Sequence, residues 1–309
     1  MDMPRSVPHH PIPVYYDAHY CAPAIRFETF KKAASIATAL TTNSQLKPLF
    51  DVRSPVESKS DLEAAEAEVI RYLDPAYLDA IKTGSPSELA ASNGLGWDPA
   101  LYRSTLHSTA GILHALADVE AGASVAASLS SGLHHATPTS GSGYCTVNSL
   151  AIAGLVASRN GLNVSILDLD AHCGGGTESF LRRFQDDSEN VRHVDLALIP
   201  FDRYEQRYIR SWFRIGTRDS YVNDLHAVCS ELIATRPDIV LYNAGVDIWP
   251  TVDKGVVRQR DQLVAQTLSE IGSKCVVVMA GGYGSDDDIV PLHTSTLEAF
   301  GNALRRPAP

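Results

Sequence analysis

Short apolar runs, several rich in β-branched residues, alternate along the chain with longer stretches whose apolar positions recur every three or four residues. Runs of the first kind lie at 14–16 (VYY), 124–129 (SVAASL), 163–170 (NVSILDLD), 192–199 (RHVDLALI), 238–243 (DIVLYN) and 275–280 (CVVVMA) and predict buried strands. Stretches of the second kind predict helices at 27–40, from Ser60 onward with a break at Pro75, at 101–120, 147–160, 177–184, 225–234, 258–271 and 295–305. Strand, helix, strand with a crossover is the signature of a parallel sheet, so the fold class is α/β. Residues 201–222 are aromatic and charged without a period and are expected to form a long loop. No repeat or compositional break divides the chain, which predicts a single domain over 1–309 with an extended, Pro/His-rich lead-in at 1–13.

Composition narrows the function. Net charge is -10 and no Lys/Arg run occurs, which argues against a nucleic-acid groove or an anionic membrane surface as partner. The five cysteines are irregularly spaced without a CxxC pair, which points to a reducing, cytoplasmic setting. The Pro-interrupted amino terminus does not read as a signal peptide, and no run of about 18 apolar residues offers a membrane span.

The chemistry sits where polar residues interrupt the strands. Asp168 and Asp170 close the run at 163–170 and His172 follows; in an extended chain these alternate side chains share a face and form a row of candidate ligands. A buried, unpaired carboxylate costs several kcal/mol, so each needs a cation or strong donors. The glycines at 174–176 are expected to let the chain turn beside this row. Asp247 follows the strand at 238–243 at the same carboxyl edge, where open α/β sheets bind ligands. Two Asp and one His leave a coordination position open, as in hydrolytic zinc sites, whereas Cys173 faces the opposite way from His172. His134 and His135, adjacent in a Gly/Ser/Thr-rich loop, could divide acid and base roles, and Tyr283, between glycines after the last strand, could donate to an oxyanion. Together these residues fit metal-assisted amide hydrolysis. Trp97 and Asp98 suit either a pocket rim or an Asx-type turn. His9, His10, Arg26 and Lys31 read as surface groups, and His107 and His114 as structural.

With IRFETFKK, GLGWDP, HSTAG, GLHHA, GYCTVN, DLDAHCGGG, YNAGVD, MAGGYG and PLHTST in this order, the chain resembles the zinc-dependent histone deacetylase superfamily. The combination of IRF, YNAGVD and the late histidine segment is most similar to the class IV branch and its bacterial relatives. The resemblance implies the arginase/deacetylase fold, one parallel sheet of about eight strands flanked by helices. It implies Asp170, His172 and Asp247 as metal ligands, His134 and His135 as the tandem histidines and Tyr283 as the transition-state tyrosine. Asp168 then orients the first histidine and helps hold a structural potassium ion. Gly143 and Tyr144 match the acyl-channel lining, and Asp98 matches a substrate grip found in some members. The implied cofactors are Zn2+, with Fe2+ as an alternative, and structural K+. The implied substrate is an N-acylated amine, either acyl-lysine in a protein or a small molecule such as an acetylpolyamine.

One position departs from the pattern: Gly175 stands where the family has Asp or Asn supporting the second histidine, so His135 is expected to lack its orienting partner. A non-catalytic acyl-group binder is therefore the competing reading. A manganese ureohydrolase of the same fold would need further ligands around the Asp/His row. Acyl group, amine and oligomeric state, a homo-oligomer included, are not readable from the sequence.

Overall fold

The computed structural model describes residues 10–22, 28–131 and 133–304. Eight strands, β1 (Ile12–Tyr15), β2 (Phe50–Arg53), β3 (Val125–Ser128), β4 (Val164–Asp168), β5 (Val191–Ala197), β6 (Ser211–Ile215), β7 (Ile239–Gly245) and β8 (Lys274–Ala280), form one sheet in the order β2-β1-β3-β8-β7-β4-β5-β6. Every pairing is parallel. Between them run α1 (Glu28–Thr42), α2 (Lys59–Tyr72), α3 (Pro75–Thr83), α4 (Ser87–Ala90), α5 (Leu101–Glu120), α6 (Ser149–Arg159), α7 (Gly175–Arg183), α8 (Tyr221–Thr235), α9 (Lys254–Ile271) and α10 (Asp286–Leu304).

The period of two along each strand sends alternate side chains into two separate cores. Val240, Tyr242, Val277 and Met279 pack on one face against Ile36 and Leu40 of α1, Leu225 and Leu232 of α8, Val264 of α9 and Phe300 of α10. Ile166, Leu241, Val276 and Val278 pack on the other against Val69 of α2, Ile81 of α3, Ile112 of α5, Ile152 of α6 and Phe180 of α7. A one-residue slip of β4 would exchange Ile166 for Leu167 between these cores, so its register is held from both sides. That register puts Asp168 opposite Asn243 of β7 and Asp195 of β5, at the carboxyl edge of the sheet.

Several elements differ from the sequence-based expectation. Ile12 and Pro13 belong to β1 rather than to the lead-in. β2 and β6 were not anticipated: both lie at the sheet edges and bury only part of their side chains, so neither shows a clear apolar signal. β6 thus divides the segment read as a loop over 201–222. α2 is capped at Ser58 rather than Ser60, with Asp61 reaching back to the Ser58 amide. α10 starts nine residues earlier than read, before Pro291, where Asp286, Asp287 and Asp288 suit the positive end of the helix dipole. His9, Arg26 and Gly132 lie outside the described residues.

Candidate metal centre

Three sheet-edge residues come together. His172 Nδ1 is 3.1 Å from Asp170 Oδ1 and 3.1 Å from Asp247 Oδ2, and one ligand atom from each of the three lies within 4.8 Å of the others. Asp170 and Asp247 are buried, whereas His172 keeps 23% of its side chain exposed. Backbone amides fix the carboxylates: His172 N donates to Asp170 Oδ1 and Ala171 N to Asp247 Oδ1. Asp247 Oδ2 is buried with no hydrogen-bond partner despite the nearby imidazole. Burial and the Asp170 charge push the Asp247 carboxyl up, while Asp170 is driven down against its own burial by His134 and His172. Two oxygen donors and one imidazole nitrogen, with one buried carboxylate oxygen orphaned, fit a divalent cation.

Main chain backs these carboxylates. A Cβ on Gly245 would lie 2.4 Å from Asp170 Cα, and one on Gly281 would lie 2.4 Å from Asp247 Cγ. Gly281 also has φ +58, a conformation that favours glycine.

Asp168 does not join this cluster. Its Oδ2 accepts from His134 Nδ1 at 2.7 Å, and its Oδ1 from the side-chain amide of Asn243 at 2.9 Å. Burial alone would lower the His134 pKa, but Asp168 and Asp170 hold it up at about 10. His135 stacks on His134 with ring centroids 3.9 Å apart, and burial and the His134 charge lower its pKa.

The expectation that His135 lacks an orienting carboxylate is corrected. His135 Nδ1 donates to Asp202 Oδ2 at 3.0 Å, and Gly176 N donates to the same oxygen at 3.1 Å. Asp202 arrives from the segment between β5 and β6, read only as loop. A Cβ on Gly175 would lie 2.4 Å from the Asp202 carbonyl oxygen and 2.6 Å from its Oδ1, so the bare glycine makes room for this carboxylate. The glycines at 174–176 therefore serve close approach rather than a turn: 175 and 176 open α7, and none of the three has positive φ.

A cleft of about 380 Å³ opens above the cluster, lined by His135, Gly143, Tyr144, His172, Phe201 and Tyr283, together with Ser92, Asn93, Gly94 and Ser142. Phe201 stands edge-on to His135 and His172. The Tyr283 hydroxyl is kept protonated well past its usual range, by burial first and then by Asp170 and Asp247. Trp97 and Asp98 do not line this cleft. Asp98 Oδ1 accepts from Ala100 N at 2.6 Å, the turn alternative, and Trp97 Nε1 donates to Ile81 O.

Besides Asp202, two further buried charged side chains border the site. Lys32 of α1 is 4% exposed and donates to Gly281 O, below the metal cluster; burial lowers its pKa to about 8 although Asp247 and Asp170 oppose the shift. Its position was readable, because Lys32, Ile36 and Leu40 share one helical face. Asp195 is fully buried beside Asp168, with Oδ1 unpartnered.

Comparison with known proteins agrees with this architecture. The histone deacetylase domain family profile matches residues 27–204, more than half of the chain. An uncharacterized protein of Picosynechococcus sp. is 32% identical over 240 residues, covering 72% of this chain and 77% of its own length. Histone deacetylase 2 of Arabidopsis thaliana is 28% identical over 248 residues, 72% of this chain and 62% of the plant protein. An acetylpolyamine aminohydrolase from Burkholderia pseudomallei superposes with a TM-score of 0.72 at 20% identity, over 94% of this chain and 98% of its own, and shares the eight-stranded arginase/deacetylase fold. The chain belongs to the histone deacetylase domain family.

Proposed function

We propose that the protein is a metal-dependent deacylase that hydrolyses the amide of an N-acylated amine, with zinc as the favoured metal and ferrous iron as the alternative. The observation that carries this reading is the Asp170/His172/Asp247 cluster, floored beside two imidazoles that each have their own carboxylate. A dication held by these three residues would supply Lewis acidity toward an amide carbonyl and acidify water.

The chain's own groups divide the remaining work. His135, its Nδ1 proton held by Asp202 and its pKa lowered, keeps its second nitrogen free to take a proton from water and return it to the leaving amine. His134, kept cationic by Asp168 and Asp170, serves as the electrostatic partner. Tyr283, whose phenol resists ionisation, donates to the oxyanion. Gly143, Tyr144 and Phe201 form the walls along which an acyl chain would lie. Asp168 and Asp195, neighbours in register and both fully buried, suit a structural potassium ion, since Asp195 Oδ1 has no other partner. The Asp202 contact favours an active enzyme over a non-catalytic acyl binder, because it restores the support that Gly175 lacks.

The test is a screen of zinc-loaded protein on acyl-lysine peptides and acylated polyamines of increasing acyl length, with Tyr283→Phe in parallel. Metal-dependent amine release is expected for at least one carrier, and Tyr283→Phe should retain metal while losing about 100-fold in turnover. No release from any carrier, or full activity of the variant, would overturn the reading.

A further inference from the structure

We propose that Asp17, His19 and His107 form a second cation site, selective for a transition-metal dication and separate from the cluster at the sheet edge. Asp17 caps the 3₁₀ turn at Ala18–Tyr20 that follows β1, His19 lies in that turn, and His107 comes from the second turn of α5. Each Asp17 oxygen faces one imidazole: Oδ1 is 2.7 Å from His19 Nδ1, and Oδ2 is 3.2 Å from His107 Nδ1. The two rings stack with centroids 4.5 Å apart, and one ligand atom from each residue lies within 4.8 Å of the others. Among the described residues this is the one such group besides Asp170, His172 and Asp247.

A bare ion pair does not account for the arrangement. His107 is 2% exposed, and its Nδ1 is buried with no hydrogen-bond partner even though a carboxylate oxygen lies 3.2 Å away. The metal centre has the same signature, a short imidazole–carboxylate approach at Asp247 Oδ2 without hydrogen-bond geometry. Neither contact has hydrogen-bond geometry although each lies within hydrogen-bond distance, an arrangement that two ligands facing one ion would share. Two imidazoles and a carboxylate favour Zn2+, Co2+, Ni2+ or Cu2+ over Ca2+ or Mg2+, which take all-oxygen sites. The His19 side chain is 57% exposed, which gives an ion a path in and leaves coordination room for water.

Arg103 Nε lies 3.4 Å from His107 Nε2 and must move when that nitrogen keeps the proton, as ligation through Nδ1 requires. Arg103 is exposed and can turn to solvent. The bound ion would fasten the 3₁₀ turn to α5. Tyr20 of this turn and Ser104, Thr105 and Ser108 of α5 line an inner cavity of about 40 Å³ that also touches Lys32 and Leu133. The cation would thus brace one wall of this inner cavity.

The test counts metal by elemental analysis in full-length protein stripped of metal and reloaded with Zn2+ or Co2+. Wild type should hold about two equivalents; His19→Ala, at a largely exposed side chain, should hold one and keep its amidase activity. Asp247→Ala should also hold one, with no activity, and His19→Ala/Asp247→Ala none. Addition of metal should raise the thermal midpoint of Asp247→Ala but not of the double variant. Should Asp247→Ala fail to fold, the difference between wild type and His19→Ala decides alone. Equal metal content in those two proteins would overturn the proposal, whether the shared value is one or two equivalents. Loss of activity alone in the screen above would bear on the deacylase reading and leave this metal count intact.

Discussion

Asp202 and His135, 67 residues apart in the chain, meet through a 3.0 Å hydrogen bond, and the same carboxylate oxygen accepts from the amide of Gly176. One side chain from a connecting segment therefore ties the histidine loop to the start of α7. Asp202→Ala is expected to lower kcat about 10- to 100-fold with metal content unchanged, the range found for groups that orient a working histidine. Asp202→Asn keeps an acceptor and should lose less. Gly175→Ala should reproduce much of the defect, because its methyl would collide with the Asp202 carbonyl. Steady-state kinetics beside metal analysis checks all three; unchanged kcat in Asp202→Ala would remove Asp202 from the mechanism.

Gly143 sets the width of the cleft. Its φ is +50, and a Cβ there would lie 2.4 Å from His135 Cδ2 and 2.9 Å from Phe201 Cε1. Gly143→Ala is expected to displace the His135 ring and reduce kcat/KM about 100-fold, the scale of an ångström-sized misplacement. Zn2+ content should not change, and a crystal structure of the variant would show whether His135 or Phe201 yields.

His193 is expected to make the fold acid-sensitive. It is fully buried in β5, and burial lowers its pKa to about 4 although Asp168 opposes the shift. The unfolded chain, with an ordinary histidine pKa of about 6.5, binds a proton that the native state refuses, so stability falls as pH drops from about 6.5 to 4. The full loss is about 3 kcal/mol, at roughly 1.4 kcal/mol per pKa unit. Urea midpoints measured across this window should decline in wild type and flatten in His193→Gln; equal slopes would assign the acid sensitivity to other groups.

The legible parts of the molecule were those written in local periodicity. β4, β7 and β8 carry largely apolar runs because both of their faces are covered, and the charged residues at or just past the ends of β4 and β7, Asp168, Asp170 and Asp247, stood out for that reason. β2 and β6 lack the signal because edge strands bury less. Asp202 was illegible for a different cause: its significance is its distance from His135, a tertiary fact, and its segment has no period from which to infer direction. Gly175 was read as a missing support, although its lack of a side chain is what admits the substitute. The approach of His107 to Asp17 and His19 is likewise a tertiary fact, since neither is near it in sequence.

The three donors at the sheet edge differ in compliance. Gly245 and Gly281 leave Asp170 and Asp247 no free space behind them, whereas His172 borders solvent. An ion of larger radius would meet two unyielding oxygens and one ring able to swing. At this cluster, discrimination among dications would then rest on the rotational freedom of a single imidazole.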